Sequence, residues 1–287
     1  MKKVNFIKIS SQFGHEIMAI NFAKALGLAV VIIPNKEDPQ EFEEESKKIL
    51  DNMSFFYRRI FTISPKERSF YEEMSRDIIG ELKAGTLPND LWKDFAASVL
   101  RPSRFFRNLP EFNELYDETS NILVIPQKLL SDNACGVTAA QQSVDPAVFN
   151  FLKDAPFRLV LGQHFNKVAD LETVKALQQE FNFYVPGMTE DQDVFGIRGV
   201  RHVKYYNMYG SLSASVGIAG THTWYLLTMF PYIPQIILYN KNGVEHWEAI
   251  AQAYRKAGYN IWAIGFDEMT DMADLSREIE TRLFGIA

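Results

Sequence analysis

The sequence holds a single cysteine, Cys135, among its 287 residues. That excludes an intrachain disulfide and any multi-cysteine metal site, and it fits a reducing compartment. Positive charge is not in excess either. Thirty Lys and Arg stand against 36 Asp and Glu, for a net charge of -6, which argues against general nucleic-acid binding or an anionic-membrane ligand. Uninterrupted apolar runs are short. Only Ser213 to Tyr239 is long enough to raise a membrane span, and His222, Thr221, Thr223, Thr228, Gly217 and Gly220 interrupt it, with Pro231 and Pro234 near its end. Two strands flanking a buried helix explain that stretch better, so no membrane span is expected. The opening MKKVNFIKIS lacks the apolar run of a signal peptide and reads as a first strand; a cytoplasmic protein is the expectation. GxGxxG and GxxxxGK[ST] do not occur, so neither a dinucleotide fingerprint nor a Walker loop is supported. GxSxG and HExxH are missing as well, which removes the nucleophile elbow and the two-histidine zinc helix.

What the chain does have is apolar substance: 47% hydrophobic and 13% aromatic residues, enough for one large or two modest cores. Strand and helix patterns alternate throughout. Val4 to Ser10 reads as a strand, followed by the loop Ser11 to His15, a helix through Ile17, Ile20, Ala23 and Leu26, and a β-branched run, Ala29 to Ile33, typical of a buried parallel strand. A helix is expected over 38–52, a strand over 55–63 and a helix over 64–82, opened by Pro65. Helices over 90–100 and 111–116 and a strand over 121–125 complete the first half. Residues 128–144 are weakly periodic and mark the expected crossing between domains, 1–140 and 141–287. The second half restarts with strands at 157–161, 183–186 and 200–205, and helices at 170–181, 245–257 and 274–284, with a strand at 261–265. The alternation predicts an α/β protein of two Rossmann-like, doubly wound parallel-sheet domains facing a cleft.

Ser211 to Tyr239 organises the rest. It predicts a strand over 213–218, a turn at Ala219-Gly220, a helix opening at Thr221-His222-Thr223, and a second strand over 235–239. A strand feeding a helix through a small-residue turn leaves free N–H groups and the positive end of the dipole at the helix start, a ready site for phosphate. Thr221 or Thr223 either caps the helix or donates to that anion, and His222 adds a further donor. An ordinary capped core helix with one satisfied histidine produces the same pattern. Of the five histidines, His15 and His164 fall in loops after predicted strands and His222 at this helix start, which is where open α/β sheets bind ligands. His202 and His246 have no such placement. Metal binding by three histidines has no paired spacing to support it.

Two segments carry a family resemblance. QFGHEIMAINFAKALG, with Gly14-His15 before a helix ending A-x-x-L, is similar to the Gly-His loop that begins many GT-B glycosyltransferases. SASVGIAGTHTWYLLTMFPYIPQIILY resembles the strand–turn–helix–strand of the GT-B carboxyl domain, as found in heptosyltransferase-like and fucosyltransferase-like members. The chain is short for that family, so a trimmed GT-B-like fold is implied. The fucosyltransferase double arginine is missing. The resemblance implies an inverting, metal-independent transferase that moves a sugar from a nucleotide-diphosphate donor to an acceptor hydroxyl on a glycan, lipid or protein, with no cofactor beyond that donor substrate. His15 is then the candidate base, imidazole having an ordinary pKa near neutrality, with Glu16 as the nearest carboxylate alternative. Gly14, Gly220, Thr221, His222 and Thr223 would receive the diphosphate, joined by Gln163, His164 and Lys167. Gly187 would lie against the base and Glu245 against the ribose. Two other readings stand beside it: a nucleotide-sugar epimerase or hydrolase of the same architecture, and a non-catalytic nucleotide-sugar-binding or scaffold protein.

Overall fold

A computed structural model describes residues 5–10, 15–101, 120–125, 144–161, 179–182, 210, 212–243 and 246–285. By internal contacts the chain divides into two units, Met1–Leu109 with Thr221–Phe230, and Pro110–Gly220 with Pro231–Ala287.

The first unit is built on a four-stranded parallel sheet in the order β3-β2-β1-β4. Strand β1 (Phe6–Ile9) pairs with β2 (Ala29–Ile32) in the register Phe6↔Ala29 to Ile9↔Ile32. The β-branched run of β2 suits a strand covered on both faces, where alternation gives way to continuous apolarity. Helix α1 (His15–Ala25) joins them, and Glu16 to Ala23 are all buried. A helix without a polar face belongs inside a core; this one packs against β1 and β2 and against three other helices of the unit. Helix α2 (Pro39–Met53) starts under Asp38, whose carboxylate accepts from the Gln40 and Glu41 N–H groups at 2.9 and 3.0 Å.

The segment after α2 departs from expectation. The strand foreseen over 55–63 contracts to β3 (Ile60–Thr62). The helix foreseen over 64–82 is broken into a 3-10 turn (Pro65–Glu67), α3 (Arg68–Met74), β4 (Ser75–Arg76) and α4 (Ile78–Lys83). The reason is a second start signal within the periodic stretch. Ser75 and Arg76 pair with Phe6 and Ile7 at the sheet edge, and the Asp77 carboxylate accepts from the Gly80 N–H at 2.8 Å, capping a new helix. The Arg76 guanidinium then clasps Glu81 through both carboxylate oxygens, at 2.8 and 2.6 Å. Helix α5 (Leu91–Ala96) follows.

The second unit carries a five-stranded parallel sheet in the order β6-β5-β7-β8-β9. Its strands are β5 (Asn121–Ile125), β6 (Arg158–Leu161), β7 (Leu212–Ile218), β8 (Gln235–Asn240) and β9 (Ile261–Phe266). Helix α6 (Thr221–Met229) stands between β7 and β8 in sequence, and α7 (Trp247–Lys256) and α8 (Met272–Phe284) follow. A 3-10 segment, Pro146–Leu152, was not foreseen; Asp145 caps it by accepting from the Ala147 N–H. The Asp271 carboxylate caps α8 by accepting from the Ala273 and Asp274 N–H groups at 2.8 and 3.1 Å. Asp271→Ala is therefore expected to cost about 1 kcal/mol, read as a lower urea midpoint at unchanged m-value.

Two parallel-sheet α/β units are thus present, as the alternation of elements predicts. A division at residues 1–140 and 141–287 differs from the observed one in two places. Strand β5 pairs with β6 and β7 and so lies in the second sheet. Helix α6 packs against α1 and groups with the first unit. The expected helices over 111–116 and most of 170–181, and the strands over 183–186 and 200–205, lie outside the described residues. Among the described residues no helix is long and apolar enough to cross a membrane.

Candidate functional site

Parallel sheets bind ligands beyond the carboxyl ends of their strands, where the strand order reverses. In the first sheet β2 lies on one side of β1 and β4 on the other, so the connection after β1 opens at that reversal. It leads into His15, the first residue of α1. In the second sheet the order reverses at β5, between β6 and β7. The turn after β7 is Ala219-Gly220, where the Ala219 N–H donates to the Leu238 carbonyl at 2.8 Å.

Helix α6 begins directly after that turn, at Thr221. His222 and Thr223 are 5% and 6% exposed. The first backbone N–H groups of α6 have no partner within the helix. Gly220 directly precedes them. Among the described residues a Cβ built there would meet nothing within 4 Å, which leaves room for a ligand close to the backbone.

Within the first unit, α6 lies beside α1. The His15 ring sits 6.0 Å from the Trp224 ring, centroid to centroid. Trp224, buried in α6, stacks on Trp92 at 6.1 Å and 16° and meets the Phe95 ring edge-on at 6.2 Å. Phe22 of α1 packs on both Trp92 and Phe95. Two polar ties hold this cluster in register. The Asn21 amide donates to the Phe95 and Ser98 carbonyls, each at 3.2 Å, and the Leu100 N–H donates to the Thr228 carbonyl at the end of α6, at 2.8 Å.

Glu16 has a different setting from its neighbour. It is 1% exposed, and its carboxylate accepts from the Ser10 N–H at 3.2 Å. Ser10 follows the last residue of β1, so Glu16 bridges the two ends of the β1–α1 connection. His15, by contrast, is half-buried.

The structure therefore brings His15, Glu16, His222 and Thr223 into the first unit around α1 and α6. Gly14, Gln163, His164, Lys167, Gly187 and Glu245 lie outside the described residues, as does the Thr221 side chain. His246 precedes α7 without capping it through its side chain. Sequence reasoning missed the aromatic stack. Its signal was there: Trp92 and Phe95 one helical turn apart, and a lone tryptophan one residue beyond Thr223. Two spacings run against the expected metal independence and inversion: Asp191-Gln192-Asp193 is a D-x-D triplet, and Glu172 and Glu180 stand eight apart, the Glu-x7-Glu spacing of retaining GT-B enzymes. Glu180 pairs with Lys153 at 3.2 Å, whereas the triplet and Glu172 lie outside the described residues. Among the described residues no group of three or more His, Cys, Asp or Glu gathers as metal ligands.

No family model matches the sequence, and no curated protein matches it. A solved structure does: the crystal structure of a family 9 glycosyl transferase from Veillonella parvula DSM 2008, with a TM-score of 0.53 at 10% identity. The match covers 98% of this chain and 97% of that one. At that identity the likeness carries the fold, a GT-B-like pair of parallel-sheet α/β units.

Proposed function

We propose that this chain is an inverting, metal-independent glycosyltransferase that moves a sugar from a nucleotide-diphosphate donor to an acceptor hydroxyl. The observation that carries the reading is the 6.0 Å approach of the His15 and Trp224 rings. It sets the candidate base, from the connection after β1, beside the helix whose start is the candidate diphosphate site.

In this reading the His15 imidazole takes the proton of the acceptor hydroxyl as its oxygen attacks the anomeric carbon. The bond to the diphosphate breaks on the opposite face of the sugar, inverting the configuration. Negative charge then grows on the leaving nucleoside diphosphate. The first N–H groups of α6 and its dipole stabilise that charge, with Gly220 admitting the phosphates and the Thr221 and Thr223 hydroxyls and His222 as further donors. Gly14, Gln163, His164 and Lys167 are assigned to the same diphosphate, Gly187 to the nucleobase and Glu245 to the ribose. Glu16 is a positioning residue: a carboxylate buried to this degree and bonded to Ser10 braces the connection that presents His15. The acceptor is a glycan, lipid or protein hydroxyl.

A thermal-shift panel with UDP, GDP, ADP and CMP tests the donor site. A nucleotide at about 100 times its dissociation constant stabilises the fold by about 2.7 kcal/mol. One nucleotide is expected to do so in the wild type and to lose most of its effect in His222→Gln. Stabilisation by none of the four at millimolar concentration would remove the donor site and leave a scaffold protein of the same fold. Once the donor is identified, proton NMR of the new anomeric centre reads the stereochemistry, and a retained configuration would overturn inversion.

A further inference from the structure

A second recess lies in the second unit, at the opposite end of the sheet from the strand ends discussed above. Strand β9 is the outer strand, and its amino-terminal end meets the last turn of α8. Together they form a depression open to solvent, of about 450 Å³, lined by Asn260, Trp262, Thr281, Arg282, Leu283 and Phe284. Ligands of the main site belong beyond the carboxyl ends of the strands, so this recess is separate from it.

The polar lining consists of donors. The Asn260 carbonyl oxygen accepts from the Trp262 indole N–H at 2.8 Å, which leaves the Asn260 amide hydrogens to donate. The Thr281 hydroxyl has no hydrogen-bond partner among the described residues. The Arg282 guanidinium lies 3.8 Å from the centre of the Trp262 ring, and Arg255 lies on the same ring at 4.3 Å. One indole thus holds two cations. Their counter-charge is slight. Arg282 reaches Glu278 at 3.8 Å, and Arg255 has no carboxylate within 4.0 Å among the described residues, donating instead to the Ile261 carbonyl at 2.9 Å. Burial first, and the neighbouring Arg282 charge second, hold Arg255 below the usual guanidinium range, with the Glu248 carboxylate opposing them. A cation at the end of α8 suits the helix dipole, but that accounts for Arg282 alone and not for two guanidiniums on one ring. The wall is completed by Leu283 and Phe284, and Phe284 is itself fixed by stacking on Phe157 at 5.8 Å.

We propose that this recess binds a small organic phosphate, with the phosphoryl dianion between Arg282, Asn260 and Thr281 and a sugar-sized body against Phe284. A lining of donors that holds the Arg282 cation and no carboxylate, with Arg255 on the same indole behind it, matches a dianion's acceptor oxygens. The volume lies within the range of small-molecule pockets and exceeds what bare phosphate fills.

Isothermal titration with inorganic phosphate, glucose 6-phosphate and glucuronate tests it on the wild type, Arg282→Gln, Asn260→Asp and His222→Gln. Glucose 6-phosphate should bind saturably, inorganic phosphate more weakly and in competition with it, and glucuronate about tenfold more weakly or worse, a difference of about 1.4 kcal/mol. Arg282→Gln should lower the glucose 6-phosphate affinity about tenfold or more. Asn260→Asp should do the same while keeping the acceptor that Trp262 uses, so lost binding there is not lost folding. His222→Gln should leave it unchanged, which separates this site from the nucleotide site whatever the outcome of the nucleotide panel. No saturable heat at millimolar concentration, wild-type affinity in the two recess variants, or glucuronate binding as tightly as the phosphate would each overturn the proposal. Loss of binding in His222→Gln would overturn it too, by moving the phosphate to α6.

Discussion

Gly217→Ala should unfold the second unit or lower its stability by about 3 kcal/mol or more. Gly217 sits in β7 directly opposite Ile125 of β5. A Cβ there would lie 2.5 Å from the Ile125 Cβ and 2.6 Å from its backbone nitrogen, and closer still to its carbonyl oxygen. Backbone of a central strand pair cannot step aside as a flexible side chain can. The residue also has φ +153°, a conformation that L side chains rarely adopt. Gly220→Ala is the matched control, since its added methyl meets nothing within 4 Å; its stability should stay within about 0.5 kcal/mol of wild type. Urea denaturation followed by circular dichroism reads both. Equal midpoints for the two variants would refute the close-approach account.

His15→Asn should lower turnover by about 10²- to 10⁴-fold, the usual contribution of a general base, while the nucleotide that stabilises the wild type still stabilises the variant. Asparagine keeps a polar group of similar reach next to Trp224 but cannot accept and pass on the proton. The assay is release of the nucleoside diphosphate named by the thermal-shift panel, with the thermal shift itself as the binding control. Unchanged turnover would remove His15 from the chemistry. If turnover and nucleotide stabilisation fell together, the residue would act in donor binding instead.

Much of the fold was legible because long apolar runs and strong turns leave few options. The run from Ser211 to Tyr239 yielded β7, α6 and β8 to within a residue or so, since Gly220 and Pro234 punctuate it. Strand β5 was placed at 121–125, yet its sheet was not, because pairing partners far apart in sequence leave no local trace. The break at Ser75-Arg76 was hidden for another reason. Apolar spacing ran through it, and only the Asp77 cap and the pairing of two residues with β1 decide it. At the candidate site, His15 and α6 were legible as separate motifs. Their approach through Trp224 was not, since it depends on α6 packing against α1 rather than on anything within either motif. Glu16 stood in the sequence only as the nearest carboxylate alternative to His15, and its burial and its bond to Ser10 give it a bracing role.

The membership of α6 in the first unit also has a consequence for synthesis. Trp92, Phe95 and α1 are translated long before Trp224, and the first unit is completed only by Thr221–Phe230. A nascent chain that has emerged up to Leu109 presents a core with one wall missing. Its apolar surface must wait through more than a hundred further residues before the ribosome delivers the helix that covers it, so this is a protein whose first half is finished by its second.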